Sequence, residues 1–350
     1  MIGAGAIGLG TAWHLTRQGH SVTLLDPRIH DPVRRQASEQ GLNGTTASLG
    51  VLMGHVFRRS SGRGWRLRRR SMELWPQWVK SLSAGGTALT LQTGLLQIAA
   101  DADAAARMAA LVEQRTDLGL ELLTGEQLRD LWPTATHGAL HSRRDGRVDP
   151  LELQTALRSA LAQTNVQTIT SCAVRLERNG NRWWVHHADG SRSNHDSVVI
   201  CSGMNADVLL EPLGHSRPMR PVLGQALTLA VDQGPSSWKG WPAVLVDQGF
   251  NLIPDGPGRL LLGATVEPGS EAAADPLSLM RHLNNTAPDW LRSASVIEHW
   301  SGLRARPEER PAPLLELLEP GLILASGHYR NGVLLTPATA EWVSTALDAA

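Results

Sequence analysis

The spacing of hydrophobic positions changes several times along the chain. After Met1 and Ile2 a glycine-rich stretch gives way to a helical spacing through Ala12 and Leu15 that stops at Gly19. Ser21-Val22-Thr23-Leu24-Leu25-Asp26 then reads as an apolar strand ending in a carboxylate. Residues 43–52 are small, polar and glycine-spaced, as in a loop pressed against a large ligand. An arginine-dense helix is expected over 58–70, an alanine-rich helix over 101–118 and another helix over 151–162. Between them, 138–150 reads as strand, turn at Asp145-Gly146, strand. Residues 172–187 form a hairpin around Asn179-Gly180, with Trp183 and Trp184 on opposite faces.

Two later runs, 196–203 and 322–327, are short, continuously apolar and end in glycine, the mark of buried parallel strands. The block between them differs. Strands at 225–231, 243–253 and 259–265 are punctuated by Gly and Pro, as in a mostly antiparallel sheet. A helix from about Thr336 closes the chain. Parallel elements near both ends with an antiparallel block between them predict an α/β protein, a discontinuous Rossmann-like domain carrying an inserted, mostly antiparallel substrate-binding domain. The expected division is 1–82, 146–216 and 300–350 for the first, 83–145 and 217–299 for the second.

Composition narrows the function classes. The 350 residues are 42% hydrophobic and carry 33 basic and 33 acidic groups, so no net charge draws the chain to nucleic acid or to an anionic membrane. Lys80 and Lys239 are the lysines; the other basic side chains are arginines. The 58–70 stretch therefore reads as a solvated face rather than a nucleic-acid patch. Twelve tryptophans against two Phe and one Tyr must do much of the aromatic packing. Cys172 and Cys201 make neither a metal motif nor a disulfide framework, which suits a reducing, cytoplasmic setting. No run approaches the ~20 apolar residues of a membrane span, and the histidines show no metal spacing.

The opening residues carry the first chemical signal. Gly3, Gly5 and Gly8 make G-x-G-x-x-G, followed by a helix, a second strand and Asp26. In a dinucleotide fold the first glycine permits the turn, the second lets a pyrophosphate approach, and the third lets helix and strand pack. The helix N-terminus supplies N–H groups to the phosphates, and an acid about 20 residues on receives the ribose hydroxyls. Only Met1 and Ile2 stand where a buried strand of about five residues is expected, which suggests a start a few codons upstream.

Taken together, these pieces resemble the D-amino-acid oxidase family of FAD-dependent amine oxidases, and within it the glycine oxidases of thiamin biosynthesis. The resemblance rests on Gly3-Ala4-Gly5-Ala6-Ile7-Gly8, with Asp26 where the family usually has Glu, and on Thr45-Thr46-Ala47-Ser48-Leu49-Gly50. It continues through Asp145-Gly146-Arg147-Val148-Asp149-Pro150, Pro221-Val222-Leu223-Gly224-Gln225 and Gly263-Ala264-Thr265-Val266-Glu267. Trp300-Ser301-Gly302-Leu303-Arg304 looks like the family's W-x-G-x-R turn. The most specific match is Gly327-His328-Tyr329-Arg330-Asn331-Gly332-Val333-Leu334-Leu335-Thr336-Pro337-Ala338-Thr339, which in that family lies against the flavin.

The resemblance implies noncovalent FAD, since no cysteine follows Cys201 to form a flavin linkage. It implies cofactor contacts from Gly3, Gly5, Ala6, Ile7, Gly8, Asp26, Thr45, Thr46, Ala47, Gly50, Val174 and Gly203. The closing motif adds Gly327, His328, Tyr329, Asn331, Gly332, Val333 and Leu334. It further implies a small amino acid substrate with oxygen as acceptor, hydride transfer from the α-carbon to the flavin, and a homotetramer. Arg304 is the expected partner of the substrate carboxylate, through two parallel hydrogen bonds. Arg330 is expected beside the substrate or flavin, and His328 to be packed rather than a base. Asn251 stands where glycine oxidases carry a Tyr that covers the substrate, and residues 305–310 depart from the family's turn. Two other readings stay open: a flavin-binding protein without oxidase turnover, and a flavoenzyme that trims a modified tRNA nucleoside.

Overall fold

A computed structural model describes residues 1–35, 42–231 and 238–348. Its first layer is a mostly parallel sheet. The strands Thr23–Leu25 and Gln167–Ile169 pair in parallel, as do Val198–Ile200 and Leu322–Ser326; Leu314–Glu319 adds an antiparallel edge. Ile2 alone joins the two parts, bridging Leu25 on one side and Ile200 on the other. Its N–H donates to Val199 O at 2.9 Å, and its carbonyl accepts from Cys201 N at 2.8 Å. The Met1 amino group donates to Thr23 O at 2.8 Å. Leu25 N also donates to Met1 O and Gly3 N to Leu25 O, both at 2.9 Å, so Met1 to Gly3 carry the ladder of a central strand.

Helices cover this sheet. Ala6–Arg17 packs against Pro150–Ala162 and against the closing helix Gly332–Asp348. Gly62–Ser83 lies along the closing helix. Tryptophan fills the seams: Trp13 and Trp78 meet edge to face at 4.8 Å, and Trp75 Nε1 donates to Leu334 O at 3.0 Å. Such pairs add about 0.5–1.5 kcal/mol beyond their buried area.

The second layer is a ten-stranded sheet. Met219–Ala230 pairs antiparallel with Ser295–Pro307 on one side and with Arg259–Gly263 on the other. The sheet runs on through Phe250–Pro254 and Val244–Asp247 to Leu91–Ile98 and Ala139–Val148. The last two strands and Val51–Leu52, beside Ala139–Val148, tie the first layer to the second. Ala139–Val148 and Ser295–Pro307 each run across one of the expected domain boundaries. Ala173–Asn179, Arg182–His187 and Arg192–His195 form a separate antiparallel meander, with Trp183 buried beneath it. No helix among the described residues is long and apolar enough to cross a membrane.

Several local expectations are corrected. Residues 139–148 form one strand with no turn at Asp145-Gly146; Gly146 instead lets the strand press against the Gln92 carbonyl, and a register shift at Thr93 and Leu95 absorbs the irregularity. Residues 243–253 hold two strands, because Gln248 (φ 49°) and Gly249 (φ 81°) make a tight turn with two positive φ angles. Residues 44–47 form a short helix rather than a loop, capped by Asn43 Oδ1, which accepts from Thr45 N and Thr46 N at 3.0 and 2.9 Å. The Trp300–Arg304 stretch lies inside a strand, not a turn. The closing helix begins at Gly332, before Thr336.

Gly8 sits where the first helix crosses the glycine turn, and a Cβ there would overlap the Gly3 carbonyl. Gly8→Ala is expected to cost about 1–3 kcal/mol. A urea denaturation midpoint equal to wild type would contradict this close approach.

Candidate active site

Gly3 (φ 100°) turns the chain beneath Cys201 and Ser202, and Gly5 precedes the first helix without any side-chain cap. Ala4 N donates to Asp26 Oδ2 at 2.8 Å and Ala6 N to Thr45 Oγ1 at 2.9 Å. Among the described residues, none accepts from the N–H groups of Ile7 or Gly8. Beside this turn the Ser202 hydroxyl is buried without a partner, and Gly203 (φ 58°) follows it. Open helix N–H groups, a glycine cradle and an orphaned hydroxyl fit a pyrophosphate. Asp26 also accepts from Arg28 N at 2.8 Å, so this short acid is drawn onto the backbone while keeping free lone pairs.

The Gly44–Ala47 helix brings the next group to the same place. Thr46 is buried and hydrogen-bonded by Gln154 Nε2 at 3.1 Å. The Ala47 carbonyl accepts from Trp300 Nε1 at 3.0 Å, and Gly50 O accepts from Val148 N at 3.1 Å. Val174 stands apart, about half exposed (49%) on the meander.

Arg304 projects from the Ser295–Pro307 strand onto Gly224 of its neighbour. A Cβ at 224 would overlap the guanidinium as it lies here and would make the arginine shift. Nη1 donates to Leu223 O at 2.9 Å, and no described carboxylate lies within ion-pair reach. Burial, then repulsion from Arg330, pushes its pKa down to about 10, against attraction from Tyr329 and Glu267. Tyr329 (φ 55°) donates its N–H to Ala305 O at 3.2 Å, which brings the Gly327–Asn331 bend onto the strand of Arg304. Arg330 is exposed and hydrogen-bonds no described residue. Asn251 Nδ2 donates to Gly263 O at 2.9 Å, pinning the Arg259–Gly263 strand.

The closing motif completes the site. Gly327 (φ 63°) packs against Pro307 and Met219. His328 is buried, its Nε2 2.9 Å from Thr339 Oγ1. Burial, with Arg63 adding repulsion, pushes its pKa from 6.5 to about 3 and holds the ring neutral. Asn331 accepts from Arg68 and precedes Gly332, Val333 and Leu334, which open the closing helix.

Sequence reading missed three contributors. Ser202 gives no local signal. Asp145, fully buried, accepts from the N–H groups of Gly54, His55 and Val56 at 2.9–3.1 Å and so fixes the loop before the arginine-rich helix. Arg68 is only 8% exposed. Here a signal existed: Arg68, Ser71, Met72 and Trp75 are spaced i, i+3, i+4, i+7, the buried stripe of a helix.

Comparison with known proteins places this geometry. A family model described as FAD dependent oxidoreductase matches residues 1–346. A glycine oxidase of Pseudomonas putida is 28% identical, over 100% of this chain and 94% of its own length. The crystal structure of glycine oxidase from Geobacillus kaustophilus superposes with a TM-score of 0.84 at 24% identity, covering 99% of this chain and 93% of that one. A tRNA 5-methylaminomethyl-2-thiouridine biosynthesis bifunctional protein of Burkholderia multivorans is 31% identical over 77% of this chain but only 39% of its own length.

A neutral His328 makes stability pH-dependent. Its folded pKa lies below the unfolded one, so the unfolded chain binds the extra proton between about pH 6.5 and 3. Its contribution is complete above 6.5 and shrinks on acidification, by up to about 1.4 kcal/mol per pH unit. In His328→Gln, stability measured between pH 6.5 and about 4 should fall less steeply than in wild type. Equal slopes would mean that His328 does not stay neutral.

Proposed function

Because the chain belongs to the FAD-dependent oxidoreductase family, we propose that it oxidises a small amino acid or amine at the carbon that bears the nitrogen. Glycine or a close analogue is the proposed substrate, and thiamin biosynthesis the proposed setting. When bound, noncovalent FAD would supply the hydride acceptor, with oxygen as the proposed final acceptor and hydrogen peroxide as the proposed product. The chain's own part is binding and orientation. Arg304 takes the substrate carboxylate through its fork of donors and sets the α-carbon's distance from the ring. Arg330, at the mouth of the same site, adds positive potential for an anionic substrate.

No side chain need remove a proton if the amine enters neutral. His328 is held unprotonated and spends its Nε2 on Thr339, so it is not a base for this reaction. Asn251 can offer its free carboxamide oxygen to an amine but cannot roof the substrate as a ring would. The site therefore suits small amino acids with a side chain as well as glycine.

The observation that carries this reading is Arg304: a guanidinium largely withdrawn from water, lying over bare backbone, bonded to one carbonyl and to no carboxylate among the described residues. Breaking a buried charge pair costs roughly 2–5 kcal/mol. Arg304→Ala should raise KM by at least about thirtyfold while the purified protein keeps its flavin content. Loss of flavin with KM unchanged would overturn the assignment.

A further inference from the structure

The closing helix has an uncapped N-terminus whose own capping group is turned elsewhere. Asn331 occupies the N-cap position, since its carbonyl accepts from Leu335 N at 2.9 Å. Asn is among the best N-cap residues because its side-chain oxygen can take one of the orphan N–H groups of the first turn. Asn43 does this in the same chain. Asn331 does not. Its Oδ1 accepts from Arg68 Nη2 at 2.9 Å, and no described residue accepts from the N–H groups of Gly332, Val333 or Leu334.

Arg68 is itself held on two other sides. Nη1 donates to Met53 O at 3.0 Å, and the guanidinium lies 3.8 Å from the Phe57 ring centroid. The Met53–Val56 loop that presents this carbonyl is fixed by Asp145 through three N–H groups, and by Arg115 through the His55 carbonyl. Arg68 therefore has little freedom, and it hydrogen-bonds no carboxylate among the described residues. A buried cation thus sits beside the positive end of a helix, where the dipole disfavours it. Cation and open N–H groups favour an electron-rich group at one spot.

We propose that Arg68 is a positioning residue that withholds the Asn331 side chain from its own helix, keeping the first-turn N–H groups open for the electron-rich edge of the flavin. The inference rests on the FAD reading above. In Arg68→Met the Asn331 carboxamide is free to swing inward and cap the helix. A cap is worth ~1 kcal/mol, so FAD binding should weaken about fivefold. Removing the cap as well, in Arg68→Met/Asn331→Ala, reopens the N–H groups.

The test is a double-mutant cycle of wild type, Arg68→Met, Asn331→Ala and the double variant. FAD dissociation constants and flavin midpoint potentials are measured for each. The expected result is that the double variant binds FAD more tightly than Arg68→Met, and that its midpoint potential lies above that of Arg68→Met. A structural or purely charge-based role would leave the double variant as weak as the single one or weaker. That outcome, or an Arg68→Met chain that binds FAD like wild type, overturns the proposal. Should Arg68→Met not fold, Arg68→Lys carries the same cycle, because an ammonium keeps the charge and stem but lacks the fork that reaches both Met53 O and Asn331 Oδ1. A wild-type chain that takes up no FAD would instead sink the functional reading. FAD-loaded wild type with no coupling in the cycle sinks this inference alone.

Discussion

A guanidinium removed from water without a directly paired carboxylate is costly, and among the described residues this holds at both Arg304 and Arg68, which Glu267 and Asp145 attract only from a distance. Burial lowers each pKa to about 10; Arg330 adds repulsion to both, against attraction from Asp145 at Arg68 and from Tyr329 and Glu267 at Arg304. Their hydrogen bonds go to carbonyls and one carboxamide, which offset desolvation only in part. The neighbouring closing helix adds uncapped N–H groups of the same sign. The proposed occupants, a substrate carboxylate at one end and an electron-accepting ring at the other, would offset this concentration of positive potential.

The fold exists to hold these pieces together across great sequence distance. The glycine turn near residue 3 and the bend near residue 329 belong to opposite ends of the chain. Parallel pairing of Val198–Ile200 with Leu322–Ser326, and packing of the first helix on the last, bring them side by side. The ten-stranded sheet supplies Arg304 from its Ser295–Pro307 strand and the bare backbone at Gly224 on which the guanidinium rests. The arginine-rich helix is a solvated face apart from Arg68: Arg63, Arg66, Arg69 and Arg70 are exposed, and three of these also bond back to the protein. Arg63 donates to the carbonyls of Pro313 and Leu315, Arg70 pairs with Glu341, Arg69 with Glu73, and Arg68 reaches Asn331.

Features whose physics is local were legible in the sequence. The glycine turn, its helix, the buried parallel strands and the closing motif each carry their constraint within a few residues, and the order of parallel and antiparallel blocks follows from them. Features that depend on distant partners were not. Asp145-Gly146 has the composition of a turn, yet Asp145 is needed to receive N–H groups from residues 54–56, and the strand continues through it. Gln248 is an unusual residue for a positive φ, so the turn after Asp247 carried no signature. Arg68 was read as one of a solvated run because its charge masked its place on the buried stripe of the helix. Ser202 became visible only once the glycine turn lay beside it.

The central claim is that a guanidinium anchors a carboxylate-bearing amine against bound FAD. The most direct measurement is anaerobic titration of the FAD-loaded protein, following bleaching of the flavin absorbance with glycine and with methylamine at matched concentration. The account predicts that glycine, or another small amino acid in the same assay, bleaches the flavin and that methylamine, lacking the carboxylate, does not. Equal bleaching by methylamine would contradict the Arg304 anchor, and a protein that stays colourless in excess FAD would contradict the site as a whole.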